Sequence, residues 1–130
     1  MGNNYLIDSS VWIEYGIGSP LGERIKEILE CGNAFTCLLS IAEISDKLSR
    51  EGERFESFLR FIQKKSVVVN ITIPSCAMAG ELKKERRKSI SSFGIIDALI
   101  YLTSQENKCM LVTKDRDFEG MKEVLLVKNS

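Results

Sequence analysis

The chain has 130 residues, 44% of them hydrophobic, with 18 basic and 18 acidic side chains and no histidine. That length suits one domain, residues 1–130, whose core needs neither disulfides nor a structural metal. Zero net charge gives no overall electrostatic sign of a nucleic-acid partner, and the missing histidine excludes serine-histidine and cysteine-histidine nucleophiles as well as histidine-based cleavage of RNA.

Short apolar runs alternate with longer helical segments from end to end. A strand over Asn4 to Asp8 leads into helices over Ser10 to Tyr15 and Pro20 to Glu30. A strand over Ala34 to Cys37 is followed by helices over Ile41 to Ser49 and Glu53 to Lys64. Then come a strand over Ser66 to Ile71, helices over Pro74 to Arg87 and Ile95 to Gln105, and strands over Cys109 to Thr113 and Glu123 to Val127. Pro20 and Pro74 suit first helical turns, and Gly32, Gly52 and Gly94 fall at breaks. The strands are almost continuously apolar, as strands covered on both faces are. The fold class expected is α/β: a three-layer α/β/α arrangement with a central parallel sheet of about five strands.

Cys31, Cys37, Cys76 and Cys109 form no C-x-x-C pair and have no histidine beside them, which argues against zinc and for four reduced thiols. No apolar stretch approaches the roughly 20 residues of a membrane span, and no basic-then-apolar leader opens the chain. A soluble, cytoplasmic protein with no membrane contact is expected.

In an open parallel sheet, ligands gather where the strands end. Asp8 closes the first strand, Glu43 lies just beyond the second, Asp97 opens the helix before the fourth, and Asp115 follows the fourth in "LVTKDRDF". Each acid also has a local explanation. Asp8 can cap the helix of "SSVWIEY", Ser40 and Glu43 fit a capping box, and Asp115 and Asp117 can cap a turn around Phe118. Asp97 differs, because "FGIIDALIYL" is apolar on nearly every helical face and predicts a buried helix with no cation between Lys88 and Lys108. A lone buried carboxylate costs several kcal/mol, more than a helix dipole's contribution of under about 1 kcal/mol, so it calls for a cation from elsewhere in the fold or a bound ion. Four acids at one edge would repel one another, and a divalent cation resolves that conflict. Mg2+ or Mn2+ suits an all-oxygen donor set, and metal-dependent phosphodiester cleavage is the reaction it serves best.

These residues resemble the PIN (PilT N-terminus) domain family, in particular its compact VapC-type toxin ribonucleases. The resemblance is carried by "YLIDSSVWIEY", "LSIAEI", "IIDALIYLTS" and "LVTKDRDF" in that order, and it spans almost the whole chain. It implies a PIN-like fold and an endoribonuclease whose acidic quartet, Asp8, Glu43, Asp97 and Asp115, binds Mg2+ or Mn2+ and directs a water at the RNA backbone. Ser10 and Thr113 match hydroxyls that steady the carboxylates, and Asp117 matches an additional acid beside the fourth. It also implies a homodimer and, for a toxin, an antitoxin protein whose segment occupies the active groove. Ile96 departs from the pattern, since relatives often carry a small or polar residue there.

An RNA substrate needs cations near this edge, and "LKKERRKS" offers Lys83, Lys84, Arg86, Arg87 and Lys88. The same cluster can be a solvated helix end. Trp12 and Tyr15 can stack on bases, although aromatics on a short helix usually belong to a core. Rival folds fit less well. A phosphoacceptor receiver wants adjacent acids after the first strand, and a haloacid-dehalogenase-type phosphatase wants D-x-D where Ser10 stands. A non-catalytic PIN-fold module that binds RNA or protein is the reading from a different class.

Overall fold

Alternation along two central strands sets the layers. In β1 (Asn4–Ile7) Leu6 enters one core and Ile7 the other, and in β4 (Cys109–Thr113) Leu111 and Val112 divide in the same way. That period of two is what a strand buried on both faces produces. The computed structural model describes residues 3–128. Its elements are β1, α1 (Ser9–Gly16), α2 (Pro20–Glu30), β2 (Ala34–Cys37), α3 (Leu38–Arg50), α4 (Glu56–Lys65), β3 (Val67–Val69), α5 (Ile73–Arg86), α6 (Ile95–Glu106), β4, a 3-10 turn (Arg116–Phe118) and β5 (Val124–Leu126).

The strands form one parallel five-stranded sheet in the order β3-β2-β1-β4-β5. Helices cover both faces, so the expected three-layer α/β/α arrangement is the one observed. On one face α5 and α6 bring Ala79, Ala98, Leu99 and Ile100 against Leu6, Cys37, Cys109 and Leu111. On the other, Val11 and Trp12 of α1, Ile25 and Leu29 of α2, Ile44 of α3 and Ile62 of α4 pack on Ile7, Ala34 and Val112.

Chain order reverses between β1 and β4, the point at which an open α/β sheet leaves a crevice at its carboxyl edge. Ile7 pairs with Val112, so Asp8 and Thr113 leave the sheet side by side. The fold thereby chooses one strand junction for the site.

Trp12 is fully buried and meets Tyr15, Phe58 and Phe61 edge-on at centroid separations of 6.4, 6.3 and 6.2 Å. Its Nε1 donates to Thr36 Oγ1 at 3.1 Å, which anchors α1 to β2. Such aromatic pairs add about 0.5–1.5 kcal/mol each beyond buried area. Trp12 is therefore a core residue and not a base-stacking one.

Several boundaries differ from the sequence expectation. β3 is shorter than Ser66 to Ile71, because Ser66 Oγ bonds the Ile62 carbonyl and Thr36, while the Asn70 side chain takes the Ile71 amide. Val67 and Leu125 are exposed, since β3 and β5 are edge strands and only the central strands are covered on both faces. α3 begins at Leu38, three residues before the expected Ile41, with no loop after β2. α4 begins at Glu56 and not at Glu53.

Where α1 meets α2, Gly22 is buried, and a Cβ there would lie 2.6 Å from Tyr15 Cα and 2.7 Å from the Glu14 carbonyl oxygen. Backbone cannot move aside as a side chain can. Gly22→Ala should therefore destabilise the protein by about 2–3 kcal/mol, read as a lower urea midpoint. A midpoint like that of the wild type would mean that the two helices are free to separate.

Candidate active site

Asp8 is the best-braced group at the carboxyl edge. It is only 6% exposed and follows β1 directly, capping α1. Its Oδ1 accepts the Ser9 amide at 2.9 Å, and its Oδ2 accepts Ser10 Oγ at 3.1 Å and Thr113 Oγ1 at 2.7 Å. The capping reading and the site reading of Asp8 thus describe one arrangement. Burial pushes its pKa up, the three donors hold it down in part, and Asp115 adds a push upward.

Glu43 lies on α3 and does not form the capping box. The early start of α3 places Ser40 inside its first turn, where the hydroxyl is buried and has no hydrogen-bond partner among the described residues. Glu43 Oε1 instead accepts Ser9 Oγ of α1 at 3.1 Å. Desolvation, then the charges of Asp8, Asp97 and Asp115, lift its pKa to about 7 against a donated bond from Ser9. The side chain remains exposed, so solvent screens part of that energy.

Asp97 is less deeply placed than its apolar helix suggested. Ile95 and Ile96 are 42% and 37% exposed, so the first turn of α6 emerges at the edge while Ala98, Leu99 and Ile100 are buried. Asp97 Oδ2 reaches back to the Gly94 amide at 2.7 Å, half of a capping box whose other half a glycine cannot supply. Burial raises its pKa, the Gly94 bond opposes, and Asp115, Asp8 and Asp117 raise it further. No cation pairs with it among the described residues; its charge meets other carboxylates instead.

Asp115 caps the 3-10 turn, its Oδ1 accepting the Asp117 amide at 2.9 Å, and its own amide donates to Thr113 Oγ1 at 3.0 Å. Asp117 takes Ser92 Oγ on its Oδ2 at 2.7 Å. The four acids therefore act on one another across four segments of chain.

The donor chemistry suits a hard divalent cation: four carboxylates and two hydroxyls, with Glu43 Oε2, Asp97 Oδ1 and Asp115 Oδ2 taking no hydrogen bond from any described residue. Among the described residues no three acids close on one point as a ready-made cage. Mg2+ commonly keeps several waters and takes only one or two carboxylates, which this spacing accommodates.

The basic cluster divides. Arg86 is turned inward, its Nε and one terminal nitrogen donating to the Asp117 carbonyl at 3.1 and 2.8 Å and that nitrogen also to the Glu119 carbonyl at 2.6 Å. Arg87 donates through Nε to the Phe93 carbonyl at 2.6 Å, and Lys88 pairs with Glu85 at 3.0 Å. Lys83 and Lys84 remain on the last turn of α5 without a salt bridge among the described residues.

Sequence reasoning missed Ser9, Glu14, Ser92 and Lys114. Lys114 pairs with Glu14 of α1, and its amide donates to Ser10 Oγ at 3.3 Å. Lys114 and Glu14 border a groove of about 1110 Å³ that starts at Ser9, Ser10 and Glu43 and runs on past Ile13, Tyr15 and Phe58. Only the position of Lys114 between Thr113 and Asp115 hinted at its place.

A parallel sheet with hydroxyl-braced carboxylates at its switch point defines an α/β protein with an acidic, metal-suited edge. The chain belongs to the PIN domain family, whose model matches residues 5–124. Three solved structures share the fold. They are a toxin-antitoxin complex from Klebsiella pneumoniae (21% identity, TM-score 0.73, 94% of this chain and 96% of that one), VapBC2 from Rickettsia felis bound to a promoter DNA fragment (16%, 0.73, 94% and 96%), and VapC20, the sarcin-ricin loop cleaving toxin of Mycobacterium tuberculosis (15%, 0.73, 96% and 100%). No curated protein matches the sequence significantly.

Raised carboxyl pKa values fix the sign of a pH effect. Asp8, Glu43 and Asp97 all titrate above their unfolded values, so each costs the metal-free protein stability as it ionises; for Glu43 that loss runs from about 4.5 up through about 7. Urea denaturation in EDTA should give a higher midpoint at pH 5 than at pH 8, with a smaller difference in Glu43→Gln. An opposite slope would mean that the acids are not crowded.

Proposed function

We propose that the protein is a metal-dependent endoribonuclease, the toxin of a toxin-antitoxin pair, acting on single-stranded or structured RNA. The observation that carries this reading is the placement of four acids at the carboxyl edge of the sheet, Asp8 and Asp115 bridged by Thr113 at the β1/β4 switch point, Glu43 held by Ser9 beside Asp8, and Asp97 at the emerging first turn of α6. Membership of the PIN domain family and the toxin neighbours support it.

Asp8, Glu43, Asp97 and Asp115 are the residues to hold Mg2+ or Mn2+, which supplies Lewis acidity and an activated water when bound. Ser10 and Thr113 keep the Asp8 carboxylate oriented, and Ser9 does the same for Glu43. Asp117 steadies Asp115 through its amide. Lys83 and Lys84, with Lys88 and Arg87 beside them, are the cations offered to the RNA backbone, a contact that ignores base identity and weakens with salt. Arg86 contributes to that patch least, because its guanidinium already holds two carbonyls. The groove leading away from Glu43 is proposed to take an antitoxin segment, and the chain to pair as a homodimer in the cytoplasm.

Incubating RNA with Mg2+ or Mn2+, with EDTA, and with Asp8→Asn decides the chemistry. Cleavage is expected only with metal and should drop at least about a hundredfold in Asp8→Asn; cleavage that survives EDTA removes the metal mechanism. A binding module would retain RNA under all three conditions and cut it in none.

Metal binding has its own readout. Mn2+ at about 100 times its dissociation constant should add about 2.7 kcal/mol of stability, raising Tm by on the order of 10 °C. Asp97→Asn should lose that response while the metal-free protein stays as stable or becomes more so, through relief of repulsion. An Asp97→Asn protein that unfolds would make Asp97 structural.

A further inference from the structure

We infer that Arg86 is a positioning residue that fixes the third and fourth acids relative to each other through Asp117. The inference rests on the metal-site reading above but concerns a different group, one that touches neither acid directly.

Asp117 is engaged on three sides. Its amide donates to Asp115 Oδ1 at 2.9 Å, its carbonyl accepts Arg86 Nε and a terminal nitrogen at 3.1 and 2.8 Å, and its carboxylate accepts Ser92 Oγ at 2.7 Å. Rotation of the 3-10 turn would move the amide that orients Asp115. Arg86 opposes it from the end of α5, gripping the Glu119 carbonyl as well at 2.6 Å. The planar guanidinium reaches both carbonyls at once, which the single ammonium of lysine does poorly.

Ser92 belongs to the connection between α5 and α6, and that connection is tied down independently. Arg87 Nε donates to the Phe93 carbonyl at 2.6 Å, and the buried Phe93 ring meets the buried Phe118 edge-on at 5.6 Å. One residue later Gly94 donates its amide to Asp97. A continuous chain of contacts therefore runs from Asp97 through Gly94, Phe93 and Phe118 to the turn that carries Asp117 and Asp115. Arg86 is the charged group that closes it from outside.

The test compares wild type, Arg86→Lys and Arg86→Met, each confirmed as folded by circular dichroism in EDTA. Hydrogen exchange at the Asp117 amide and Mn2+ binding by the electron paramagnetic resonance of free Mn2+ are the readouts. In Arg86→Met the Asp117 amide should exchange at least about tenfold faster while amides of β1 and β4 keep their protection. Its Mn2+ dissociation constant should rise about tenfold, with Arg86→Lys intermediate and methylguanidinium restoring part of the loss in Arg86→Met. If Arg86→Met fails to fold, the same changes at smaller amplitude are required of Arg86→Lys. Unchanged exchange at Asp117 in a folded variant overturns the inference, and so does wild-type Mn2+ affinity accompanying faster exchange. A wild type that binds no Mn2+ overturns the metal reading instead, and the exchange measurement alone then decides whether Arg86 holds the turn.

Discussion

The hydrogen bond from Thr113 Oγ1 to Asp8 Oδ2 ties together the two strand ends between which the site opens. It spans 105 residues of sequence and exists only because β1 and β4 are neighbours in register, Ile7 opposite Val112. Asp8 is buried to the point where its ionised form needs donors, and Thr113, Ser10 and the Ser9 amide supply them. The other acids depend on this arrangement. Glu43 is reached through Ser9, one residue from Asp8, and Asp115 through Thr113, which both donates to Asp8 and accepts the Asp115 amide. Thr113 is thus shared between the Asp8 carboxylate and the Asp115 backbone amide.

That sharing explains why like charges persist at one edge. Three of the four acids have a local backbone reason to sit where they do, Asp8 and Asp115 as caps and Asp97 reaching back to Gly94, while Glu43 is held by the Ser9 hydroxyl. Caps contribute about 1 kcal/mol each and are satisfied one by one, whereas the repulsion between acids depends on all of them together. Helix ends can therefore hold carboxylates in place while their mutual charge stays uncompensated by any salt bridge among the described residues. Lys114, next to Asp115 in sequence, pairs with Glu14 rather than with the quartet. The arrangement leaves the edge electronegative and open to a small hard cation, the condition under which such an ion binds.

The layout was readable where an apolar run ended on an acid. "YLID" and "LVTKD" announce two strands and the residues beyond them, and the period of two divides Leu6 from Ile7 as the two cores require. Reading failed where tertiary contacts override local grammar. "SIAE" reads as a capping box, yet α3 runs straight on from β2 and leaves Ser40 inside the helix with Glu43 facing α1. "FGIIDALIYL" reads as buried throughout, yet its first turn emerges at the sheet edge and exposes Ile95 and Ile96. Neither difference has a signature within a few residues. The basic run "KKERRK" was legible only as charge. Nothing in its composition separates Arg86, turned onto two carbonyls, from Lys84 beside it at the surface.

The division within that run follows from side-chain chemistry and from its place on α5. Arg86 ends the helix facing the turn after β4, and two carbonyls there, Asp117 and Glu119, point outward because a 3-10 turn as short as Arg116–Phe118 leaves them without helical partners. A guanidinium satisfies both with fixed, planar donors, and its delocalised charge is the least costly cation to desolvate partly. Lysine in the same position would keep its strongly hydrated ammonium in water and leave one carbonyl unmet. Lys83 and Lys84, which precede Arg86 and make no salt bridge among the described residues, keep the hydration and side-chain freedom that the guanidinium gives up. The same helix end therefore carries two kinds of cation, and the one that faces inward acts on the acids by way of the backbone.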